Sequence, residues 1–162
     1  MATLPSTQIA NLVTTVHYQI LEANWRDIQA LYRLEKACFG RDAWPLLDIV
    51  AVVTLPGVVR LKAVVDDQLV GFVAGEAKPK EKLGWILTLG VSPDYRRLGI
   101  GRSLLVECEQ RLNMPRIRLS VRRTNWPAIQ LYYREGYREV DVWKHYYSDG
   151  EDALIMEKIV DS

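Results

Sequence analysis

The feature that most constrains the fold of this chain is a glycine-containing turn where a strand pattern changes to a helix pattern. Residues 96–103 read RRLGIGRS; they follow an apolar stretch that ends near Val91 and open an amphipathic helix that begins near Gly99. Two glycines two positions apart let the backbone turn its N–H groups outward, and a helix N-terminus adds unpaired donors and the positive end of its dipole. The turn therefore suits a diphosphate group.

Two common nucleotide-binding loops fit this turn poorly. It has no Gly-Lys-Ser/Thr ending for a nucleoside triphosphate, and Leu104 replaces the third glycine of the dinucleotide fingerprint. A glycine-rich helix start without any ligand is the other interpretation of the turn alone. Between Arg96 and Arg123 there are eight Arg and two acidic residues, Glu107 and Glu109. This charge favours an anionic ligand, although a solvated arginine-rich surface has the same composition.

Composition predicts a globular protein that folds without disulfides or metals. The chain has 162 residues, of which 49% are hydrophobic and 25% charged, and a net charge of +1. No apolar run approaches the roughly 20 residues that span a bilayer, and the first sixteen residues lack the Lys or Arg of a secretory signal. We therefore expect a cytoplasmic protein with no membrane or nucleic-acid partner. Cys38 and Cys108 have no metal-ligand spacing and are expected to be small core residues.

The spacing of apolar residues predicts an alternation of strands and helices. Strand patterns cover residues 16–21, 58–65, 68–77, 84–91, 116–122, 140–147 and 153–159. Helix patterns run from 25 to 38, from Pro45 towards Leu55, from Gly99 to Pro115 and from an Asn125 cap to Gly136. The order is βααβββαβαββ, with an antiparallel meander at 58–91. We predict one domain over residues 1–162, with residues 1–15 as a flexible N-terminal extension.

This element order and two sequence blocks resemble the GNAT superfamily of acetyl-CoA-dependent N-acetyltransferases. RRLGIG at 96–101 matches the family signature Gln/Arg-x-x-Gly-x-Gly/Ala, and NWPAIQLY at 125–132, followed by Gly136 and Tyr137, is similar to the family's Asn-x-x-Ala-x-x-Leu-Tyr block. The resemblance covers about residues 16–159. It implies an α+β fold of three layers, in which a mixed, mostly antiparallel seven-stranded sheet is flanked by about four helices.

A narrower resemblance concerns the first helix and the C-terminal hairpin. YYSDGEDA at 146–153, followed by Met156, is similar to the tail of RimI-type and archaeal protein N-terminal acetyltransferases, and EKACF at 35–39 fits their first helix. This implies that the acceptor is the N-terminal α-amine of a protein or peptide, ribosomal proteins included. We expect a monomer or a homodimer. The residues expected to bind the acceptor are Glu35, Trp44, Tyr146 and Tyr147.

The resemblance also implies a site for acetyl-CoA. Its diphosphate would lie on backbone N–H groups at 97–102, residues 89–91 would pair with the pantetheine amides, and the Val91 N–H would polarise the thioester carbonyl. Gly90 would allow a bulge in this strand, and Asn125 would cap its helix, bond the cofactor arm, or do both. The expected cofactor-binding residues are Leu89, Gly90, Val91, Arg96, Arg97, Leu98, Gly99, Ile100, Gly101, Arg102, Ser103, Asn125 and Tyr132.

Tyr132 stands at the family's general-acid position. A phenol with an ordinary pKa of about 10 is protonated at neutral pH and can donate to a departing thiolate; packing in the core is the alternative role. Ser120 replaces the Glu that RimI-type enzymes commonly carry and can at most position a water. An α-amine, with a pKa of about 7.7–8.0, needs less help than a lysine at about 10.4. Glu35, His145 and the tyrosine pair are other candidates for help with this proton.

Two other functions remain open from the sequence. A GNAT enzyme that acetylates a small amine, such as a polyamine, an amino acid or a drug-like amine, would keep the same fold and cofactor and differ only in its acceptor surface. A sensor that binds acyl-CoA without catalysis would keep the glycine turn, and Ser120 at the base position favours it. The sequence does not decide the acceptor's first residues, the general base or the acyl-chain preference.

Overall fold

The computed structural model describes residues 15–160, and within that range it contains the seven strands and four helices of the predicted order. All of the predicted N-terminal extension except residue 15 lies outside the described residues. Short 3-10 turns precede α1 and follow α1, β3 and β4. The elements are β1 (Gln19–Glu22), α1 (Ile28–Phe39), α2 (Leu46–Thr54), β2 (Val58–Val65), β3 (Gln68–Lys78), β4 (Leu83–Val91), α3 (Ile100–Leu112), β5 (Arg116–Arg122), α4 (Trp126–Arg134), β6 (Arg138–Trp143) and β7 (Ala153–Ile159).

Two predicted strand boundaries are wrong. The first strand begins at Gln19 rather than at residue 16, because pairing with β2 begins there; Val16 and Tyr18 pack against the core without joining the ladder. The sixth strand is Arg138–Trp143 rather than 140–147. Beyond Trp143 the chain leaves β7, and His145 takes a positive φ of 52° in a separate loop. Alternation of side chains continues past both points, so it does not reveal where pairing stops.

The sheet has the strand order β1-β2-β3-β4-β5-β7-β6. Every neighbouring pair is antiparallel except β4 and β5, which are parallel, and β2–β4 form the predicted meander. The parallel pair is very short: only Gly84 with Ile117 and Trp85 with Arg118 are in register. After these residues the two strands diverge, and a gap opens in the middle of the sheet towards their C-terminal ends.

A bulge in β4 follows closely after Trp85, the last residue of β4 that is in register with β5. The register with β3 shifts so that Ala74 faces Thr88 and Gly75 faces Ile86, which leaves Leu87 as the extra residue. Leu87 and Thr88 consequently face the same side of the sheet: Leu87 packs with the apolar cluster of α1 and α2, and the Thr88 hydroxyl contacts α1. A bulge of this kind increases twist and ends pairing, which accounts for the divergence from β5.

Gly90 was expected to provide this bulge, and that expectation is wrong. The bulge is three residues earlier, at Leu87. Gly90 instead lies under the end of α1, where a Cβ would come within 3.1 Å of Cys38 Sγ and 3.3 Å of the Phe39 ring. The absence of a side chain therefore lets α1 approach β4 closely.

The helices form two layers, one on each face of the sheet. Helices α1 and α2 cover β2–β4 with an apolar cluster that includes Leu31, Ile49 and Phe72, whereas α3 and α4 cover the other face with a larger cluster. Cys108 is buried in this larger cluster, as predicted, but Cys38 is only half-buried and donates from Sγ to the Val91 carbonyl. No helix within residues 15–160 combines the length and apolar character needed to cross a membrane.

We predict that Gly75→Ala lowers the free energy of unfolding by about 1–3 kcal/mol, because overpacking forces side chains and backbone to shift. A Cβ at Gly75 would lie 2.9 Å from both Cys108 Sγ and Leu112 Cδ1 and 3.2 Å from the Trp85 carbonyl. Urea denaturation measures the change. Gly101→Ala is the control, because its Cβ would meet its nearest heavy atoms at 3.6 and 3.8 Å. Equal destabilisation by the two substitutions would contradict this packing.

Candidate active site

The gap between β4 and β5 leaves a strand edge open in the interior of the sheet. Leu89, Gly90 and Val91 lie on this edge, beyond the last residue of β4 that is in register with β5. An edge with free N–H and C=O groups can accept an extended chain that carries amides, as if it were another strand. The three residues that were expected to pair with the pantetheine arm are therefore at a position that allows such pairing.

The glycine turn lies at the end of the same edge. Arg97 and Gly99 both have positive φ, of 62° and 84°, and α3 begins at Ile100 with no side chain capping its N-terminus. The first N–H groups of a helix have no intrahelical acceptor, and alternating left-handed residues turn successive N–H groups to one side, where they can hold an anion. Ser103 already donates its N–H to the Gly99 carbonyl, so the free donors precede it.

Gly101 is not required by the packing of the protein. A Cβ at this position would meet Val91 Cγ2 at 3.6 Å and Leu131 Cδ2 at 3.8 Å, which are ordinary contact distances. The fold therefore has room for a small side chain here. A glycine at this point is explained by a ligand that approaches the backbone closely, as a diphosphate on the helix N-terminus does.

The positive charge of this region is concentrated at the turn. Six of the eight arginines between 96 and 123 form ion pairs, whereas Arg96 and Arg97 form none with any described residue. Arg96 donates from Nε to the Val91 carbonyl at 3.0 Å. Arg102 is held by Glu135, with Nε 2.6 Å from Oε1. The broad cationic surface seen in the sequence is thus largely neutralised, and an anion would find its counter-charge at Arg96 and Arg97.

None of the side chains of Leu98, Ile100 and Ser103 provides a free polar group for a ligand at the turn. The Ser103 hydroxyl lies 2.6 Å from the Tyr18 hydroxyl, Ile100 is buried in the core, and Leu98 is exposed. Ser103 and Ile100 could therefore serve a ligand only through the geometry of the helix they begin. Asn125 caps α4 as predicted, because its Oδ1 accepts a 3.4 Å hydrogen bond from the Ala128 N–H.

Tyr132 lies on α4, on the same side of the sheet as α3. Its ring is buried in the larger core cluster, 5.7 Å from the Tyr137 ring, which fits the packing role. Its hydroxyl, however, makes no hydrogen bond to another described residue, although every fully buried side-chain nitrogen or oxygen in residues 15–160 has a partner. Burial, with a smaller effect of Tyr147, raises the pKa of Tyr132 well above its ordinary value, so it remains protonated at neutral pH.

Ser120 and the predicted acceptor residues lie on the opposite face of the sheet. Ile117, Leu119 and Val121 of β5 point into the cluster with α3 and α4, so Ser120 points to the side of α1 and α2. Glu35 is 4% exposed on that side. Its Oε1 accepts from the Thr88 hydroxyl at 2.8 Å and its Oε2 from the Trp44 N–H at 3.3 Å. Burial raises the pKa of Glu35.

Glu35 and Trp44 are thus brought together at the end of β4, while Tyr146 and Tyr147 lie in the loop between β6 and β7. An aromatic row continues from this loop: Tyr147 and Tyr146 are 5.1 Å apart, Tyr146 and Trp143 5.4 Å, and Trp143 and Trp85 5.9 Å between ring centroids. His145, a candidate for help with the proton, lies 3.1 Å from the Gly150 carbonyl through Nδ1 and closes the same loop.

Four residues of this face were not predicted from the sequence: Thr88, Trp85, Trp143 and Arg122. Alternation along β5 would have placed Arg122 beside Ser120. The role of Thr88 depends on the bulge at Leu87, for which the sequence gives no signal. The aromatic row is a tertiary contact: Trp85 of β4 and Trp143 of β6 meet although β5 and β7 lie between their strands in the sheet.

Comparison with known proteins identifies relatives along most of the chain. Residues 23–137 match the model of the acetyltransferase (GNAT) family. The chain is 32% identical over 155 residues to an N-alpha-acetyltransferase of Sulfolobus acidocaldarius, covering 87% of this chain and 92% of that protein. It is 41% identical over 78 residues to the ribosomal protein bS18 alanine N-acetyltransferase of Escherichia coli K12, covering 44% of this chain and 52% of that protein. The crystal structure of the ribosomal-protein-S18-alanine N-acetyltransferase from Escherichia coli has a TM-score of 0.81 at 24% identity, with 90% of this chain and 96% of the other covered.

We predict that Gly101→Val weakens the binding of acetyl-CoA about 10-fold or more, because a branched side chain keeps a diphosphate from the charge-assisted N–H donors. Isothermal titration calorimetry measures the affinity. Gly101→Ala is the matched control for folding, because the protein has room for its Cβ, and we expect its loss of affinity to be smaller than that of Gly101→Val. Undiminished binding by a folded Gly101→Val variant would contradict a diphosphate site at this turn.

Proposed function

Because the chain belongs to the GNAT family of acetyltransferases, we propose that it transfers the acetyl group of acetyl-CoA to the N-terminal α-amine of a protein or peptide. The family match confirms the predicted family, the fold class and the acetyltransferase activity, for which acetyl-CoA is the donor. The observation that carries the proposal is the gap between β4 and β5, which has α3 and α4 on one face of the sheet and α1 and α2 on the other. The donor would bind on the first face and the acceptor on the second.

The donor site consists of backbone groups and two arginines. The N–H groups at 97–102 receive the diphosphate, with Arg96 and Arg97 as its counter-charges, and the edge at Leu89, Gly90 and Val91 pairs with the amides of the arm. Their positions at the end of β4 and at the start of α3 support these roles. Acetyl-CoA, when bound, supplies an activated thioester.

We assign the acceptor to the space between the segment that carries Glu35 and Trp44 and the loop that carries Tyr146 and Tyr147, and we name this space the acceptor groove. The names of the relatives support a protein N-terminus as its occupant: one is an N-alpha-acetyltransferase, and another acts on an alanine of a ribosomal protein. A ribosomal protein as the acceptor, a cytoplasmic location, a single domain and a monomeric or homodimeric state belong to the same proposal.

Three groups of this chain would act on the reacting atoms. The Val91 N–H polarises the carbonyl that the amine attacks, and Tyr132 holds on its hydroxyl the proton that the departing sulfur needs. The nitrogen–carbon bond forms as the carbon–sulfur bond breaks, and the amine releases its proton to a water that Ser120 positions. A weak base of this kind suffices for an α-amine, because about a tenth of the amine is already neutral near pH 7.

We predict that the protein acetylates a lysine-free peptide with a free α-amine at least about 100-fold faster than the same peptide with a blocked N-terminus and one lysine. The pKa difference between the two amines, of about 2.5 units, is the reason. Mass spectrometry after incubation with acetyl-CoA locates the modification. Acetylation of spermidine or of free amino acids, but of neither peptide, would support the small-amine alternative instead, and any turnover would exclude the sensor.

We predict that Tyr132→Phe lowers kcat by about 100-fold or more, because it removes a general acid, and leaves the affinity for acetyl-CoA unchanged. Tyr133→Phe is the matched control, since Tyr133 is exposed and its hydroxyl donates to Glu139. In the unmodified enzyme, the raised pKa of Tyr132 means that ionisation of this group does not reduce kcat up to about pH 10. If Tyr132→Phe and Tyr133→Phe have the same kcat, Tyr132 has only a packing role.

A further inference from the structure

Arg122, the last residue of β5, connects segments that are far apart in the sequence. Its Nε donates to Asp42 Oδ2 at 2.5 Å, in the turn that follows α1. Its terminal nitrogen donates to Asp149 Oδ2 at 2.9 Å and to Glu151 Oε2 at 2.5 Å, in the loop between β6 and β7. These are the two segments that carry Trp44 on one side of the groove and Tyr146 and Tyr147 on the other.

The guanidinium also orients an aromatic ring of the groove. Arg122 Cζ lies 4.1 Å from the centre of the Tyr147 ring. The loop that carries this ring is closed by its own hydrogen bonds, from the Tyr147 N–H to the Glu151 carbonyl and from the Gly150 N–H to the Tyr147 carbonyl. Tyr147 also packs against Tyr146, with ring centroids 5.1 Å apart. The ring is thus held between Arg122 and Tyr146.

Arg122 neutralises three carboxylates, two in the loop between β6 and β7 and one in the turn after α1. The Glu151 N–H and Arg122 lower the pKa of Asp149, and Thr124 and Arg122 lower that of Glu151, so both carboxyl groups are ionised at neutral pH. A third carboxylate, Asp42, belongs to the opposite segment. Without the guanidinium, these like charges would repel each other across the groove and move its two sides apart.

An ordinary surface ion pair would not have this effect. A single exposed pair contributes little to stability, because solvent screens it. Arg122 differs because its planar, rigid fork meets carboxylates of two separate segments and an aromatic face at once. A lysine in its place would keep the charge, but its single ammonium group cannot reproduce this arrangement. The main consequence of the contact is therefore the relative position of the two segments.

We propose that Arg122 is a positioning residue that fixes the width of the acceptor groove, and with it the placement of the acceptor's α-amine beside Tyr147. The inference rests on the proposed function, because it assigns the groove to a peptide. Arg122 touches neither donor nor reacting atoms in this role; it acts through the turn that contains Asp42 and through the loop that contains Tyr147, Asp149 and Glu151.

The first test compares Arg122→Lys with Arg118→Lys. Arg118 lies on the same strand and face and also forms a charged pair, with Glu157, but it lies away from the loop and the turn. We expect Arg122→Lys to raise KM for the peptide about 10-fold or more, with a smaller change in kcat and unchanged calorimetric binding of acetyl-CoA, because misplaced substrates lose affinity and alignment. Arg118→Lys should leave KM unchanged. Equal values of KM in the two variants would overturn the proposal.

The second test does not depend on the identity of the acceptor. Hydrogen exchange at the Tyr147 and Gly150 amides reports the closure of the loop, and we expect it to be faster in Arg122→Lys than in the unmodified protein. Asp42→Asn, which removes only the contact with the turn after α1, should raise KM while the exchange at these two amides stays slow. If exchange is unchanged in Arg122→Lys, the positioning role is wrong; if the unmodified protein acetylates no peptide, the proposed function is wrong while the exchange result stands.

Discussion

The fold and the site both depend on one short contact, the parallel pairing of β4 and β5. Only two residue pairs hold the strands together, and the bulge at Leu87 turns β4 away immediately afterwards. A longer pairing would close the sheet and satisfy the backbone of residues 89–91 internally. Because the pairing stops, an edge of β4 remains open in the middle of the sheet, with helices on both faces. A donor bound on one face and an acceptor bound on the other can meet through this gap.

Several departures from ordinary structure gather around this gap. Arg97 has a positive φ, Gly101 lacks a side chain that the packing would tolerate, and Arg96 and Arg97 form no ion pair within residues 15–160. Each would be unfavourable or unexplained in a protein without a ligand. Together they fit an anionic chain bound along the edge of β4, since strain and unsatisfied groups collect at functional sites.

The sequence predicts this architecture well where the pattern is local and poorly where it depends on pairing. The glycine turn, the Asn125 cap and the strands at 58–65 and 116–122 follow from spacing and turn chemistry. The bulge was expected at Gly90 because glycine favours bulges, but the observed bulge contains Leu87, whose side chain packs under α1 and α2. The arginine-rich stretch suggested a cationic surface, yet five of those side chains meet carboxylates from distant segments, and Arg111 pairs with Glu107 on its own helix. Such partners are set by strand order and cannot be read from one segment.

The most direct test of the central claim is a backbone amide NMR titration with coenzyme A. If the coenzyme lies along the open edge and on the start of α3, the amide resonances of Leu89 to Val91 and of Arg97 to Arg102 should shift, while those of Gly57 and Asp67, at turns beside β2, should not. Shifts confined to other parts of the chain, or no shifts at all, would contradict the account, because the coenzyme would then not lie in the gap between β4 and β5.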